Sequence, residues 1–281
     1  MKRSVVIALV VLLAGAAAAA LVATRSGDAP EPAAAGPAEQ DAPAEASEGT
    51  GKGFAAVNRA AESGKYLFLF FYKEEDEQTL AMRKVFEAAM AKAADRADSI
   101  RIDVNDASEK AIVKKYGLDR APMPLVLAMA PNGAITGGFP REFDEKKLLA
   151  AFATPCTEKC MKALQGNKLV FVCVQNAKTK SNEAAMKGVR EFAADERFGR
   201  ATEIVTLDPA DAVEADFLKD LRILPQTTEA VTVLLAPPGA PIARYDGATS
   251  KKELVETITR ASSCGPGGCG PGGCGPGGCG P

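Results

Sequence analysis

Histidine is absent from this chain of 281 residues. Its absence excludes imidazole acid–base catalysis, serine–histidine and cysteine–histidine nucleophile pairs, and any zinc site that needs a nitrogen ligand. The chain also lacks an excess of positive charge, because its formal net charge is -2. Without a dense cluster of Lys and Arg to neutralise phosphates, we expect no nucleic-acid partner. Any metal chemistry must therefore use thiolates or carboxylates.

The C-terminal tail, residues 264–281, lacks aliphatic and aromatic side chains. It reads CGPGGCGPGGCGPGGCGP and contains Cys264, Cys269, Cys274 and Cys279. Such a segment buries too little apolar surface to offset its conformational entropy, so we expect disorder unless its sulfurs are tied together. Crosslinking, binding of a soft metal, and a solvated linker without chemistry all remain open.

Two properties of the tail bear on its chemistry. Gly-Pro-Gly-Gly suits a type II turn, which brings the flanking thiols together, so coordination of Zn or a multinuclear Cu(I) cluster by the four cysteines is sterically feasible. However, Pro and Gly prevent the helix that would activate a thiol. We therefore expect pKa values near 8.5 and slow nucleophilic attack.

The N-terminus carries an export signal. Lys2 and Arg3 precede an uncharged, apolar run at residues 4–24, so residues 1–24 form either a cleaved signal peptide or a membrane anchor. Both place the remainder in the periplasm or outside the cell, where disulfides are tolerated. Residues 25–52 are rich in Ala, Pro and Glu and are typical of a spacer, which favours the anchor.

The rest of the chain is globular in composition, with 47% hydrophobic and 25% charged residues, and has room for two domains. Helical and strand patterns follow one order in residues 53–153 and repeat it, at an offset near 106, in residues 166–262. Expected helix caps are Asp144, Asp208 and Ser250. The predicted strands include residues 66–72 and 125–130 in the first half, and 169–174 and 231–235 in the second. Of these, 66–72 and 169–174 are expected to be buried.

The first half resembles the thioredoxin superfamily. The match is carried by Gly64-Lys65, Phe71-Tyr72, Met82, Val85-Phe86, Tyr116-Gly117 and Pro124. The resemblance implies an α/β fold in which each domain has a central mixed sheet flanked by helices. It also implies that Pro124 is the family's cis-proline, with Pro122 as the competing candidate.

The resemblance does not extend to the active-site cysteines of the family. Where the family has Cys-x-x-Cys, this chain has Asp76 and Thr79, so the usual exchange reaction is lost. We expect the acidic residues 74–77 to cap the helix that follows rather than to bind a cation. The second half fits more weakly, with Ala230 in the place of the cis-proline. By resemblance, such domains act as binding or spacing modules.

Two further cysteines lie in residues 154–165, a predicted interdomain helix capped by Thr154 with Pro155 at its first position. Cys156 and Cys160 are the candidate catalytic residues. We expect the helix dipole to lower the pKa of Cys156. Because both sulfurs lie on one helix face, they could form a disulfide or offer two soft ligands, and a purely structural disulfide is equally open. Cys173, within a predicted buried strand, is expected to be an inert core thiol.

The sequence thus predicts an exported protein, tethered to the membrane by its N-terminal helix, whose tail binds Cu(I) or Zn or exchanges thiols with an exported partner protein. Two alternatives stay open. One is a thiol–disulfide oxidoreductase that uses Cys156, Cys160 and the tail. The other is a redox-inactive scaffold that binds a partner.

Overall fold

The computed structural model describes residues 51–263, which form two four-stranded mixed sheets with helices on both faces of each. The strand orders are β2-β1-β3-β4 in the first half and β6-β5-β7-β8 in the second. In each sheet the two strands at one side run parallel, and the remaining neighbours pair antiparallel. The two halves therefore have the same topology.

The first half has four α-helices and four β-strands among the described residues, besides two short 3₁₀ turns. The helices and strands are α1 (Lys52–Ser63), β1 (Tyr66–Tyr72), α2 (Glu77–Lys92), β2 (Ala97–Asp103), α3 (Lys110–Lys115), β3 (Leu125–Met129), β4 (Ile135–Pro140) and α4 (Glu145–Leu149). Asp144 caps α4 as predicted, since its Oδ1 accepts a hydrogen bond of 2.7 Å from the Lys147 amide.

The second half repeats this order. Its elements are α5 (Pro155–Gln165), β5 (Leu169–Val174), α6 (Asn182–Ala193), β6 (Thr202–Leu207), α7 (Ala215–Asp220), β7 (Val231–Ala236), β8 (Ala240–Asp246) and α8 (Lys251–Ser263). Ser250 caps α8, because its Oγ accepts a hydrogen bond of 3.3 Å from the Glu253 amide. The predicted buried strands agree with the observed ones within one residue at each end.

One expected cap is wrong. Asp208 does not begin a helix: its Oδ1 accepts a hydrogen bond from the Ala210 amide within a turn. The next helical residues are the 3₁₀ turn Ala212–Glu214, which Asp211 caps through the Val213 amide at 2.9 Å. Asp208 and Asp211 each accept a hydrogen bond from the backbone amide two residues further on, which forms a short turn. The turn at Asp208 connects β6 to the helical residues that follow.

The first strand of each half is covered on both faces because successive side chains point to opposite sides of a sheet. In β1, Phe68 and Phe70 pack toward α2 and α4, whereas Leu67, Leu69 and Phe71 pack toward α1 and α3. In β5 the alternation repeats: its valines face α5 and α7, and Phe171 and Cys173 face α6 and α8. This double burial explains the continuous apolar runs of the two strands.

Helix α5, which follows α4 and precedes β5, contacts both halves. Its Cys156, Cys160, Ala163 and Leu164 belong to the core of the second half, whereas Met161 packs into the core of the first. Two polar contacts with the first half accompany it. Glu158 Oε1 accepts a hydrogen bond from the Tyr66 hydroxyl of β1, and Gln165 accepts from the Ile135 amide through Oε1 at 2.9 Å and donates to the Ile135 carbonyl through Nε2 at 2.7 Å. The helix is thus the element that joins the two folds.

Replacing Gln165 with Ala is expected to weaken this junction. The variant loses both hydrogen bonds to β4, and since the site is exposed to water we expect a loss of about 1 kcal/mol in unfolding free energy. Faster hydrogen exchange at the Ile135 amide checks this locally. Lys162→Ala, an exposed change on the same helix, is the control. Unchanged exchange at Ile135 would contradict the prediction.

No helix among residues 51–263 is long and apolar enough to cross a membrane. The predicted anchor or signal peptide at residues 1–24 lies outside the described residues, as does most of the 25–52 spacer.

Candidate functional site

The start of α2 is where the thioredoxin resemblance places an active site, and it is built as a helix cap. Asp76 Oδ1 accepts a hydrogen bond of 2.8 Å from the Thr79 amide, and this bonding lowers the pKa of the Asp76 carboxyl. Thr79 is buried at 3% exposure. Glu75 forms an ion pair with Arg83. The capping role expected for this acidic segment is confirmed at Asp76, and neither Asp76 nor Thr79 carries sulfur.

The turn before β3 is the second place at which the thioredoxin resemblance makes a structural prediction. The Met123–Pro124 peptide bond is cis, which confirms Pro124 rather than Pro122 as the cis-proline. The Pro124 carbonyl accepts a hydrogen bond of 2.7 Å from the Arg141 amide. In the second half, Ala230 has this place, and its amide donates to the carbonyl of Lys180 at 2.9 Å. Residue 230 is thus paired with the chain's own loop before α6.

A shallow, open depression of about 430 Å³ lies between α2 and the start of α4 in the first half. Its lining includes Gln78 and Met82 of α2 and Phe143, Asp144 and Lys147 from the other side. None of these side chains carries a thiol. The depression offers a surface next to the cap of α2, without nucleophilic chemistry of its own.

The structure brings Cys156 and Cys160 together on one face of α5. Thr154 caps the helix through the Thr157 amide and Pro155 is its first residue, as predicted. Both cysteines are free thiols, and they are only 8% and 2% exposed. The Cys156 Sγ lies 3.8 Å from the carbonyl oxygen of Thr206 in β6. The pair is therefore part of the packing between α5 and the second sheet.

The expected activation of Cys156 is wrong. Burial, and after it the neighbouring carboxylate of Glu214, raise the pKa of its thiol to about 11. Burial likewise raises the pKa of Cys160 to about 12. Desolvation affects the pKa of Cys156 more than the helix dipole at the start of α5 does, because the thiolate would have to form inside an apolar core next to a carboxylate. At neutral pH both sulfurs are protonated and are poor nucleophiles.

Cys173 is the third cysteine that the structure describes. It lies in β5 at 2% exposure, and burial raises its pKa to about 11, in agreement with the inert core thiol that the sequence predicts. It faces α6, on the opposite side of the sheet from Cys156 and Cys160. It therefore cannot act together with them.

Two buried glutamates bind helix N-termini in a way that the sequence analysis above does not predict. Glu109, 3% exposed, accepts hydrogen bonds from the amides of Lys52 at 2.7 Å and Gly53 at 3.0 Å, at the start of α1. Glu214, 2% exposed, accepts one of 2.8 Å from the amide of Cys156 at the start of α5. The signal was present as the repeat Asp-Ala-x-Glu at residues 106–109 and 211–214, an offset that matches the domain repeat.

The remaining candidate ligands, Cys264, Cys269, Cys274 and Cys279, lie outside the described residues. Within residues 51–263, no three Cys, Asp or Glu side chains are grouped so that they could hold a metal ion. Among these residues, Cys156 and Cys160 therefore have no third metal ligand beside them.

No family model matches the chain, and no curated protein matches it either. Solved structures similar to parts of it include the germline-specific thioredoxin Deadhead of Drosophila melanogaster, at 22% identity over 34% of this chain and 86% of that one, with a TM-score of 0.29. A disulphide isomerase of Xylella fastidiosa covers 38% of this chain and 89% of its own, at 15% identity and a TM-score of 0.30.

The first two thioredoxin domains of Saccharomyces cerevisiae Eps1p cover 78% of this chain and 99% of that structure, at 8% identity and a TM-score of 0.29. Likenesses this distant say nothing about activity, so the assignment of the fold rests on the chain itself. Its support is the repeated strand order, the helices on both faces of each sheet and cis-Pro124. Residues 51–263 thus form two α/β folds of one topology, and this topology together with cis-Pro124 agrees with the thioredoxin-like fold that the sequence predicts.

Proposed function

We propose that this protein is an exported, membrane-tethered pair of thioredoxin-like domains whose chemistry resides in its cysteine tail. In this proposal Cys264, Cys269, Cys274 and Cys279 bind a soft metal ion, Cu(I) or Zn²⁺. The domains act as the folded body that carries the tail. Export and tethering follow from the apolar run at residues 4–24 and its preceding Lys2 and Arg3.

One observation supports this proposal above the others: the three cysteines of the folded part are buried and have raised pKa values. Metal binding by cysteine requires the deprotonated thiolate, so metal affinity falls as the thiol pKa rises. The other four of the seven cysteines lie in residues 264–281, whose sequence has no aliphatic or aromatic side chain that could desolvate a thiolate. Thiolates are also the ligands that Cu(I) and zinc accept when histidine is absent.

Replacing all four tail cysteines with serine is expected to abolish metal uptake by the full-length chain. The reduced protein is titrated with Cu(I), and separately with Zn²⁺, against a chromophoric competitor, and bound metal is measured after desalting. The control is Cys160→Ala combined with Cys173→Ala, which removes two buried thiols and should leave uptake unchanged. Equal metal content in the tail variant and the parent would overturn the proposal.

The same variants separate metal binding from thiol exchange. Reduction of a small-molecule disulfide, measured with and without the tail cysteines, reports the second chemistry directly. If the parent turns over disulfides, fails to bind metal and loses turnover in the tail variant, the oxidoreductase alternative replaces the proposal. If both assays are negative for the parent, the partner-binding scaffold replaces it.

A further inference from the structure

Four exposed lysines lie at the start of α1 and along α3, the two helices that cover one side of the first sheet. Lys52 is the first residue of α1 and Lys110 the first of α3, and Lys114 follows Lys110 one turn later. Lys115 connects the two helices, because its Nζ lies 5.0 Å from the centroid of the Phe54 ring in the first turn of α1. We call Lys52, Lys110, Lys114 and Lys115 the lysine face.

The lysine face carries an excess of positive charge. None of its four ammonium groups has an ion-pair partner within residues 51–263. Two carboxylates lie beside it, and both serve as caps: Asp106 accepts from the Ser108 amide at 2.9 Å, and Glu109 accepts from the amides of Lys52 and Gly53. Hydrogen bonds from Ser108, and to a smaller extent the charge of Lys52, lower the pKa of Asp106. Four positive charges thus face two negative ones.

The helix dipoles account for only half of these lysines. A positive charge is favourable in the last turn of a helix, which suits Lys114 and Lys115. In the first turn it is unfavourable, yet Lys52 and Lys110 occupy the first positions of their helices. Lys110 and Lys114 are also like charges at an i, i+4 spacing, which destabilises a helix. Negative charge from outside the described residues would compensate both effects.

The segment that precedes α1 carries this opposite charge. Residues 26–51, within the predicted spacer, contain six acidic residues and no Lys or Arg. The acidic residues are Asp28, Glu31, Glu39, Asp41, Glu45 and Glu48. Glu48 is four residues before Lys52, a stretch that spans at most about 14 Å. Because the segment is joined covalently to α1, its carboxylates have a high effective concentration at the lysine face.

We propose that the lysine face binds the acidic segment, residues 26–51, of the same chain. An anionic membrane surface is the other partner that exposed lysines near an anchor would attract. Six carboxylates between the apolar run at residues 4–24 and the folded part oppose that choice, because an anionic surface repels them. In the proposed arrangement the acidic segment lies along the α1–α3 side of the first half, which shortens the span of the spacer.

The test measures how accessible individual lysines are in the full-length protein, kept in an uncharged detergent. Brief treatment with an amine-reactive reagent, followed by peptide mass spectrometry, gives the modification rate of each lysine. In the test variant all six acidic residues of the segment are replaced with their amides, Asp→Asn and Glu→Gln. We expect rates at Lys110 and Lys114 about two- to fivefold higher in this variant, which is the protection that one exposed ion pair gives. At about 0.5 M NaCl, where the Debye length is about 4 Å, the parent should match the variant.

Lys84 is the internal control for this measurement. It is exposed on α2, which covers the opposite side of the first sheet, so its rate should be the same in parent and variant. A second measurement examines the contact from the other partner. In Lys110→Gln combined with Lys114→Gln, a glutamate-specific protease should cleave after Glu45 and Glu48 faster than in the parent.

Equal modification rates at low salt in the parent and the amide variant would contradict binding of the acidic segment. Vesicles of an anionic phospholipid test the membrane alternative. If these vesicles protect the lysine face and the carboxylates of the segment do not, the face is a membrane-binding surface instead. Neither outcome involves the tail cysteines, so metal uptake by the tail is tested independently.

Discussion

Above pH 9, the second domain is expected to lose stability before the first. Its three buried thiols have pKa values raised from 9.0 to about 11 for Cys156 and Cys173 and to about 12 for Cys160. Since the folded-state pKa lies above the unfolded one, each thiol stabilises the fold fully below pH 9. That stabilisation is lost as the pH rises toward the folded pKa, because only the unfolded chain can then ionise.

The size of the loss follows from the shift. Two pKa units correspond to about 2.7 kcal/mol for one thiol, and the second domain has three. In the first domain the groups with raised pKa values are Tyr66 and Tyr116, which start from 10.0, so its loss begins about one unit higher. The first domain should therefore remain folded while the second one opens.

Denaturant unfolding under reducing conditions at a series of pH values from 8 to 11 measures this effect. Hydrogen exchange assigns the loss to either domain. The matched control replaces Cys156, Cys160 and Cys173 with alanine. This variant should be less stable at pH 8 but should lose little more between pH 9 and 10. A parent protein whose unfolding free energy is constant up to pH 11 would show that the thiols do not control the transition.

Glu109→Gln is expected to destabilise the first domain by about 3 kcal/mol. The carboxylate accepts from two amides at the start of α1, and hydrogen bonds to a charged group contribute about 1.5–3 kcal/mol each. The glutamine amide keeps one acceptor and turns an N–H₂ group against the second backbone amide. No room exists for relaxation, because a Cβ on Gly53 would already lie 2.9 Å from Glu109 Oε2 and 2.8 Å from Ile112 Cδ1.

Glu62→Gln is the matched control, since it makes the same chemical change at an exposed site of the same helix. We expect a change within about 0.5 kcal/mol, as for most surface substitutions. Chemical denaturation measures both variants, and hydrogen exchange at Lys52 and Gly53 reports the cap itself. Equal stability of the two variants would remove the proposed role of Glu109 as the cap of α1.

The strands of this protein can be predicted from the sequence because their hydrophobic patterns are local. The run from Tyr66 to Tyr72 is apolar throughout, which a strand covered on both faces requires. Helix caps such as Asp76 and Asp144 are predictable for the same reason, since the side chain and the amide that it binds are only three residues apart. The prediction for Asp208 is wrong because Asp211, three residues later, has the same side chain and caps the helical turn instead.

The chemical state of Cys156 was not readable in this way. Its position in the first turn of a helix predicts a lowered pKa, and that argument uses only the residues nearby. The carboxylate that opposes it, Glu214, is 58 residues distant in the sequence, and the core that desolvates it comes from β5, β6 and α7. No local pattern contains these contacts.

By itself, the sequence determined the repeated α/β order, the loss of both cysteines at the thioredoxin active site, and the four thiols gathered in residues 264–281. The tertiary structure alone decided that Cys156 and Cys160 are buried with raised pKa values, that α5 contributes to the cores of both domains, and that two glutamates distant in sequence cap α1 and α5. The physical reason is the separation in sequence between the residues that interact. Hydrophobic periodicity and capping act between near neighbours, whereas desolvation and buried hydrogen bonds depend on which segments the fold brings together.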